Sequence, residues 1–520
     1  MKKKIDSLLC DLDGVLTKTA DLHARAWKLL FDDLLEQASE GTLGVGQKFV
    51  IATDYPKFID GKPRLEGIRS YLKARKLDIP EGDKDDPAEM KTVHGLGKKK
   101  NQLFHKLLNA EGVKIYAASI KAITAWKNKG LKIAVVSSSK NCLSILQSAG
   151  IEQLFDAIVD GNVAQEKGLA GKPEPDVFLY AAFLLQTNPK NAAVAEDAAV
   201  GIEAAKRGKF ALSIGILKEN NARILLKSEA DVTVRDLSEI TYTGESMRYP
   251  LSLEKLDHAC LSEYHISRSL QLYEPVFFFD YDGTLTPIVA HPEDALLSQA
   301  TRERLKTLSE RASVAVISGR DKDDVKKLVG LENIFYAGSH GFDIEGPGSV
   351  THHVPHAQDI MRSVIKATAL LQEKLQATDG VQIEPKKFAV AVHYRNTPKD
   401  LWQEVREVCQ QVADQFSNLK NSEGKMVMEL RPDVDWDKGK AMEWVAGKLG
   451  VQSPQFHYFY MGDDFTDEDA FRALPENGTG ILVGSHEGYT YADYHVKGPE
   501  EIDQLLTSFI NIIQKHRMDV

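Results

Sequence analysis

One short passage occurs twice in the chain, SLLCDLDGVLT from Ser7 and VFFFDYDGTLT from Val276, and this recurrence limits the fold more than any other feature. Each copy is an apolar run that stops at Asp-x-Asp-Gly. Such a run, closed by a glycine turn, predicts a parallel strand buried on both faces. In an open α/β sheet the carboxyl ends of these strands are where ligands sit. A single Asp-Gly would be an ordinary turn. With the Asp and Gly usage of this chain, chance supplies only about 0.2 copies of Asp-x-Asp-Gly, so two copies in matching contexts predict two versions of one architecture.

The downstream order repeats as well. KIAVVSSSKN ends a second apolar run at Ser137, GKPEPDVF brings Lys172, and AAVAEDAAVG ends a third run at Glu196 and Asp197. In the second half SVAVISGR ends at Ser318, DWDKGKA offers Lys438, and FHYFYMGDDFTDED ends at Asp463 and Asp464. Lys172 stands 25 residues before Asp197, and Lys438 stands 25 before Asp463. The halves differ in where they are interrupted. Asp13 to Ser137 spans 124 residues and Ser137 to Lys172 only 35, whereas Asp280 to Ser318 spans 38 and Ser318 to Lys438 spans 120. Helical spacing in 22–35 and 102–108 predicts a helical cap over about 20–108. FAVAVHYR and KMVMELRP alternate like strands, and IMRSVIKATALLQEKL is helix-like, so the second insertion, about 338–434, predicts a mixed α/β cap. The fold class is therefore α/β, with parallel-sheet domains at 1–240 and 275–520 and a partly helical linker at 241–274.

Strand side chains two apart point the same way. Asp11 with Asp13, and Asp280 with Asp282, therefore converge on one substrate. Paired carboxylates repel a phosphate unless a divalent cation intervenes, and the acids at Asp197 and Asp463 supply further oxygen ligands. Mg2+, one per site, suits such an all-oxygen set. The first Asp is then the candidate nucleophile toward phosphorus and the second the candidate acid/base. Ser137 or Ser318 and Lys172 or Lys438 would hold the phosphoryl oxygens. A calcium loop is disfavoured, because no Glu stands at the twelfth position and both runs leave strands.

Composition narrows the partners. Asp plus Glu outnumber Lys plus Arg by 75 to 65, a net charge of −10, which speaks against nucleic acid. Cys10, Cys142, Cys260 and Cys409 are scattered, as expected in a reducing, cytoplasmic setting. Lys2 to Lys4 are followed by a run broken at Asp6, Asp11 and Asp13, which is no signal peptide, and no run of ~18 apolar residues could span a bilayer.

Taken with these residues, both halves resemble haloacid dehalogenase superfamily phosphotransferases, which implies two Rossmannoid domains. The carboxyl-terminal half, about Pro275 to Ile513, resembles trehalose-6-phosphate phosphatases through DYDGTLTPI, ISGR, GSHGFDIEGP, VAVHYR, ELRP, DKGKA and GDDFTDEDAF. The resemblance implies hydrolysis of trehalose 6-phosphate, with Asp280 as nucleophile and Asp282 as acid/base. It implies Mg2+ on Asp280, the Asp282 carbonyl and Asp463, supported by Asp464 and Asp467, and sugar contacts from Arg320, His340, His393, Arg395, Glu429 and Arg431. His393 with Arg395, and Glu429 with Arg431, are two apart and so share faces of cap strands; a solvated sheet face would look the same.

The amino-terminal half resembles β-phosphoglucomutases through DLDGVLT, HARAW with His23 and Trp27, Arg64 of GKPR, Lys100 and Asn101 of KKKN, SSSKN, KPEPD and EDAAVGI. This implies interconversion of β-glucose 1-phosphate and glucose 6-phosphate through a bisphosphate activator. Asp11, Asp13, Glu196 and Asp197 would surround the metal, and His23, Trp27, Arg64, Lys100, Ser139, Lys140 and Asn141 would meet substrate. Taken singly, His23 reads as a core or solvated histidine, and Arg64 and Lys100 as surface charges. A sugar-phosphate hydrolase and a catalytically silent binding module are the alternative readings of this half. The expected partners are small sugar phosphates.

Overall fold

The computed structural model describes residues 4–38, 48–59, 62, 64–218, 221–289, 292–424, 426–486 and 488–518. Gly61 and Pro63 of the GKPR motif lie outside the described residues. The chain divides into two compact units, Met1–Arg248 and Tyr249–Val520.

The first unit is built on β1 (Ser7–Cys10), β2 (Lys132–Val136), β3 (Ala157–Val159), β4 (Ala192–Glu196), β5 (Leu212–Ile216) and β6 (Val232–Val234). All are parallel, in the order β3-β2-β1-β4-β5-β6. All four residues of β1 are buried, as its unbroken apolar run requires. The strand order reverses at β1, so the ends of β2 and β4 lie on either side of it. That is why residues far apart in sequence, Asp11, Ser137 and Glu196, share one crevice. Among the described residues the regular elements of the insertion after β1 are helices, including Ala20–Ala38, Ile51–Asp54, Arg64–Arg75 and Val93–Glu111. Trp27, Phe31, Phe49 and Tyr71 form its own core. A hairpin of β7 (Thr241–Tyr242) and β8 (Met247–Arg248) ends the unit.

The second unit comprises β9 (Leu251–Ser252), β10 (Asp257–His258), β11 (Glu274–Phe279), β12 (Ser313–Ile317), β13 (Phe335–Gly338), β14 (Asp343–Gly346), β15 (Val350–His353), β16 (Gln382–Pro385), β17 (Val390–His393), β18 (Leu419–Gly424), β19 (Val427–Pro432), β20 (Phe456–Gly462), β21 (Gly478–Val483), β22 (Tyr489–Thr490) and β23 (Tyr494–Val496). Its main sheet runs β10-β23-β21-β20-β11-β12-β13-β14-β15. Alternation along β11 sends Phe277 and Phe279 to one face, with Phe459 and Phe509, and Phe278 to the other, with Tyr458 and Met442.

Two boundaries differ from the sequence expectation. The hairpin β14–β15, placed in the cap by the range 338–434, extends the main sheet antiparallel to β13, so the cap proper begins with the helix Ala357–Leu375. The segment 241–274 is not one linker. Its first part is the β7–β8 hairpin of the first unit, and its remainder joins the second unit through β10, which pairs with β23. Its helix is Glu263–Leu272; the apolar residues before it, such as Leu256, are spent on burial against the sheet.

The second cap is the sheet β16-β17-β19-β18, backed by helices Ala357–Leu375 and Trp402–Ala413. Val390, Val392, Met428 and Leu430 point into those helices. The register pairs Ala391 with both Glu384 and Glu429, so Glu384, His393, Glu429 and Arg431 share the opposite, polar face. Among the described residues no helix is long and apolar enough to cross a membrane.

Candidate active sites

In the first unit the backbone N–H of Asp11 donates to Ala195 O at 2.9 Å, which fixes the end of β1 against β4. Lys172 Nζ lies 2.5 Å from Asp11 Oδ1 and 2.5 Å from Glu196 Oε1. Asp11, Glu196 and Asp197 each bring a carboxylate oxygen within 4.8 Å of the others. Gly14 makes this approach feasible: at φ +82° it takes a left-handed turn, and a Cβ there would fall 1.8 Å from Asp197 Oδ2. Burial raises Asp197 to about 7, with the Asp11 and Asp13 charges adding. Burial also opposes the charge on Lys172, but the carboxylates of Asp11 and Glu196 hold it above its ordinary value. Asp13 is raised to about 7 by burial and by Asp11, and its Oδ1 is buried with no hydrogen-bond partner among the described residues. Ser137 Oγ accepts from the N–H of Ser139 at 3.1 Å.

The cap supplies a second cluster. Lys100 is 2% exposed. Its Nζ sits 2.6 Å from His23 Nδ1 and 5.3 and 5.1 Å from the ring centroids of Trp27 and Phe104. His23 stacks on Phe104, with centroids 4.2 Å apart. Lys100 is thus no surface charge, and burial together with Arg64 lowers it to about 7. Asn101 Oδ1 accepts from Arg64 Nη2 at 3.1 Å and from Asn141 Nδ2 at 2.9 Å, tying the cap to the loop after β2. Lys140 departs from expectation: its amine is bonded to Gln165 on an exposed surface.

The second unit repeats the first arrangement with one exchange. Lys438, 2% exposed, bonds Asp280 Oδ1 at 2.8 Å and Asp467 Oδ1 at 2.7 Å. Tyr460 donates its hydroxyl to Asp467 Oδ1 at 2.8 Å. The close carboxylate set is Asp280, Asp463 and Asp467. Asp467 lies within it, but its Oδ1 is taken by Lys438 and Tyr460 and its Oδ2 accepts from the N–H groups of Asp463 and Asp464 at 3.1 and 3.2 Å, the supporting place expected of it; the Asp282 side chain is not a member. Asp464 instead caps the turn, accepting from Thr466 N at 2.8 Å. Burial, with Asp467 and Asp464, raises Asp463 to about 8. Burial drives Asp280 well above the usual carboxylate range against the pull of Lys438. Both oxygens of Asp282 are taken by Arg320, Nε to Oδ2 and Nη2 to Oδ1 at 2.7 Å each. Ser318 Oγ accepts from Arg320 N at 3.1 Å.

His340 sits at φ +58° with its N–H on Ser318 O at 2.9 Å, and burial lowers it to about 4. A Cβ on Gly319 would fall 2.9 Å from His340 Cε1, which explains the glycine of ISGR. On the cap, Glu429 Oε1 accepts from Lys386 Nζ at 3.0 Å and Glu384 Oε2 lies 2.9 Å from His393 Nε2. Lys386 and Glu384 had no sequence signal beyond neighbouring strands. Arg395 does not share His393's face, because β17 ends at His393 and Arg395 is exposed in the following turn. Arg431 lines a cavity of about 340 Å³ with Trp436, Asp437 and Asp469, and that lining includes none of Asp280, Lys438 or Asp463.

Both units match known families. Residues 278–500 fit the trehalose-phosphatase family and residues 5–209 the haloacid dehalogenase-like hydrolases. The β-phosphoglucomutase of Mycobacterium bovis is 44% identical over 246 residues, 46% of this chain and 93% of that protein. The trehalose-phosphate phosphatase of Mycobacterium tuberculosis is 40% identical over 310 residues, 59% of this chain and 78% of that protein. The chain belongs to the haloacid dehalogenase-like enzymes. It is a fusion of a β-phosphoglucomutase-like unit and a trehalose-phosphatase-like unit. An uncharacterised glycosyl hydrolase of M. tuberculosis is 34% identical across 98% of this chain, which spans 38% of that relative's length.

Proposed function

We propose that the fusion is bifunctional, the second unit hydrolysing trehalose 6-phosphate to trehalose and phosphate and the first interconverting β-glucose 1-phosphate and glucose 6-phosphate. The observation that carries this reading is that each unit owns a complete set at its strand ends: an aspartate on a buried lysine, a second aspartate two residues on, a serine and a close acidic cluster. Each cluster is an all-oxygen donor set, and the glycine turns at Gly14 and Gly283 bring the acids close, so the residues fit Mg2+. Asp11, Glu196 and Asp197 in one unit, and Asp280 and Asp463 in the other, would hold it, with Asp467 supporting them through Lys438 and the Asp463 N–H. Bound there, the ion would neutralise substrate phosphate charge.

Asp280 attacks phosphorus while Asp282 gives a proton to the departing sugar oxygen, whose bond to phosphorus breaks. Asp282 then takes a proton from the water that attacks the aspartyl phosphate, releasing phosphate and restoring Asp280. Lys438 and Ser318 hold the phosphoryl oxygens. Asp11 and Asp13 play these roles in the first unit, with sugar in place of water as acceptor. Lys100, Arg64 and Asn141 meet the distal phosphate. In the full chain, Asp280→Asn should end phosphate release from trehalose 6-phosphate and spare β-glucose 1-phosphate turnover, and Asp11→Asn should do the reverse. Loss of both activities from either well-folded variant would refute two independent sites. Phosphate as the main product of the first unit, with no need for bisphosphate, would make that unit a hydrolase.

A further inference from the structure

We propose that Arg320 is a positioning residue for Asp282, directing its ionised carboxylate, the form that takes the proton from water in the second half of the reaction, instead of gripping the sugar as the sequence suggested. This rests on the role given to Asp282 above. Arg320 meets both carboxylate oxygens at 2.7 Å through its fork of donors, the planar match that fixes a carboxylate's direction as well as its place. The guanidinium is itself held. Nη1 donates to Asp324 at 3.2 Å, and Cζ lies 5.4 Å from the Tyr281 ring centroid. The Arg320 side chain is 11% exposed while that of Asp282 is 41% exposed, so a nearly buried arm carries a carboxylate that faces open space. Three of the five guanidinium N–H groups, one each on Nε, Nη1 and Nη2, are committed to protein carboxylates, which fixes the plane of the group on Asp282.

The first unit provides the contrast. Ser139 follows Ser137 by two residues, as Arg320 follows Ser318. Ser139 Oγ accepts from the N–H of Asn141 at 3.2 Å, and the buried Asp13 Oδ1 has no hydrogen-bond partner among the described residues. The nucleophile, serine, lysine and acids are common to both units, whereas the fork belongs to the second. Its Asp282 meets a mobile, isotropic acceptor, water, in the second half of the reaction. A fixed carboxylate direction is worth most there.

The test uses the full chain, trehalose 6-phosphate and released phosphate as readout. Arg320→Ala should lower kcat about ten- to hundredfold, the rate equivalent of one charge-assisted pair, and leave KM within about twofold. Arg320→Lys keeps the charge without the fork and should recover part of kcat; it also serves where the alanine variant does not fold. In an Asp282→Asn background, Arg320→Ala should do no further harm, because the arginine acts through the residue already disabled. Unchanged kcat, a raised KM with kcat kept, or losses that add in the double variant would overturn the proposal. If Asp282→Asn itself retained full turnover, the acid/base role would fall first and the proposal with it. An active wild type with a crippled Asp282→Asn tells the two failures apart.

Discussion

Replacing Lys100 with Met should stabilise the first unit at neutral pH while removing its activity. Lys100 is almost fully buried, and the unit holds it at about 7, against an ordinary value of 10.5. Between those two values the unfolded chain binds the extra proton and the folded chain does not, so stability rises with pH across the window and is lowest below about 7. A shift of that size, at 1.36 kcal/mol per unit, makes the charged lysine cost about 4 to 5 kcal/mol near pH 7 and about 2 kcal/mol at pH 9. The methionine has similar reach and no charge, and its thioether would lie among Trp27 and Phe104. Urea unfolding of the full chain, read by hydrogen exchange of peptides from β1 and β4, should show the wild-type unit gaining about 2 kcal/mol from pH 7 to 9 and Lys100→Met losing that slope. The same variant should fail to convert β-glucose 1-phosphate. A variant that keeps the wild-type slope, or is less stable than wild type at pH 7, would refute the reasoning.

Arg64→Ala should slow β-glucose 1-phosphate conversion about ten- to hundredfold through loss of a charge-assisted phosphate contact, with phosphate release from trehalose 6-phosphate unchanged in the same sample. Gly283→Ala adds a Cβ at φ +81° only 2.1 Å from Asp463 Oδ2; it should cut phosphate release by about tenfold or more, and near-wild-type turnover would show that the turn tolerates a side chain. Chelation should abolish both activities and added Mg2+ restore them; activity that survives exhaustive chelation would dismiss the metal.

The parts of the sites that were legible in sequence are those where chain order dictates position. Asp11, Ser137 and Glu196 each end an apolar run, and once three such runs are neighbours in a parallel sheet their next residues must meet. The same holds for Asp280, Ser318 and Asp463. What stayed hidden depends on single-residue details. Alternation puts Arg395 on a strand face, but β17 stops two residues earlier. Lys140 stands in a recognisable motif, yet a long flexible side chain found Gln165 at the surface instead. Lys386, and the Asp282 partner of Arg320, are fixed by what faces them across the fold, which no local period records. The cap boundary shifted because an antiparallel hairpin extending the main sheet has the same alternation as a cap strand.

The two-residue strand β10, supplied by what the sequence presented as linker, covers the edge of the second unit's sheet at β23. Without it, β23 would offer unpaired N–H and C=O groups, a template for pairing with another molecule. A recombinant phosphatase half cut at the start of β11 would therefore carry an adhesive border, whereas one beginning at Tyr249 keeps its own seal.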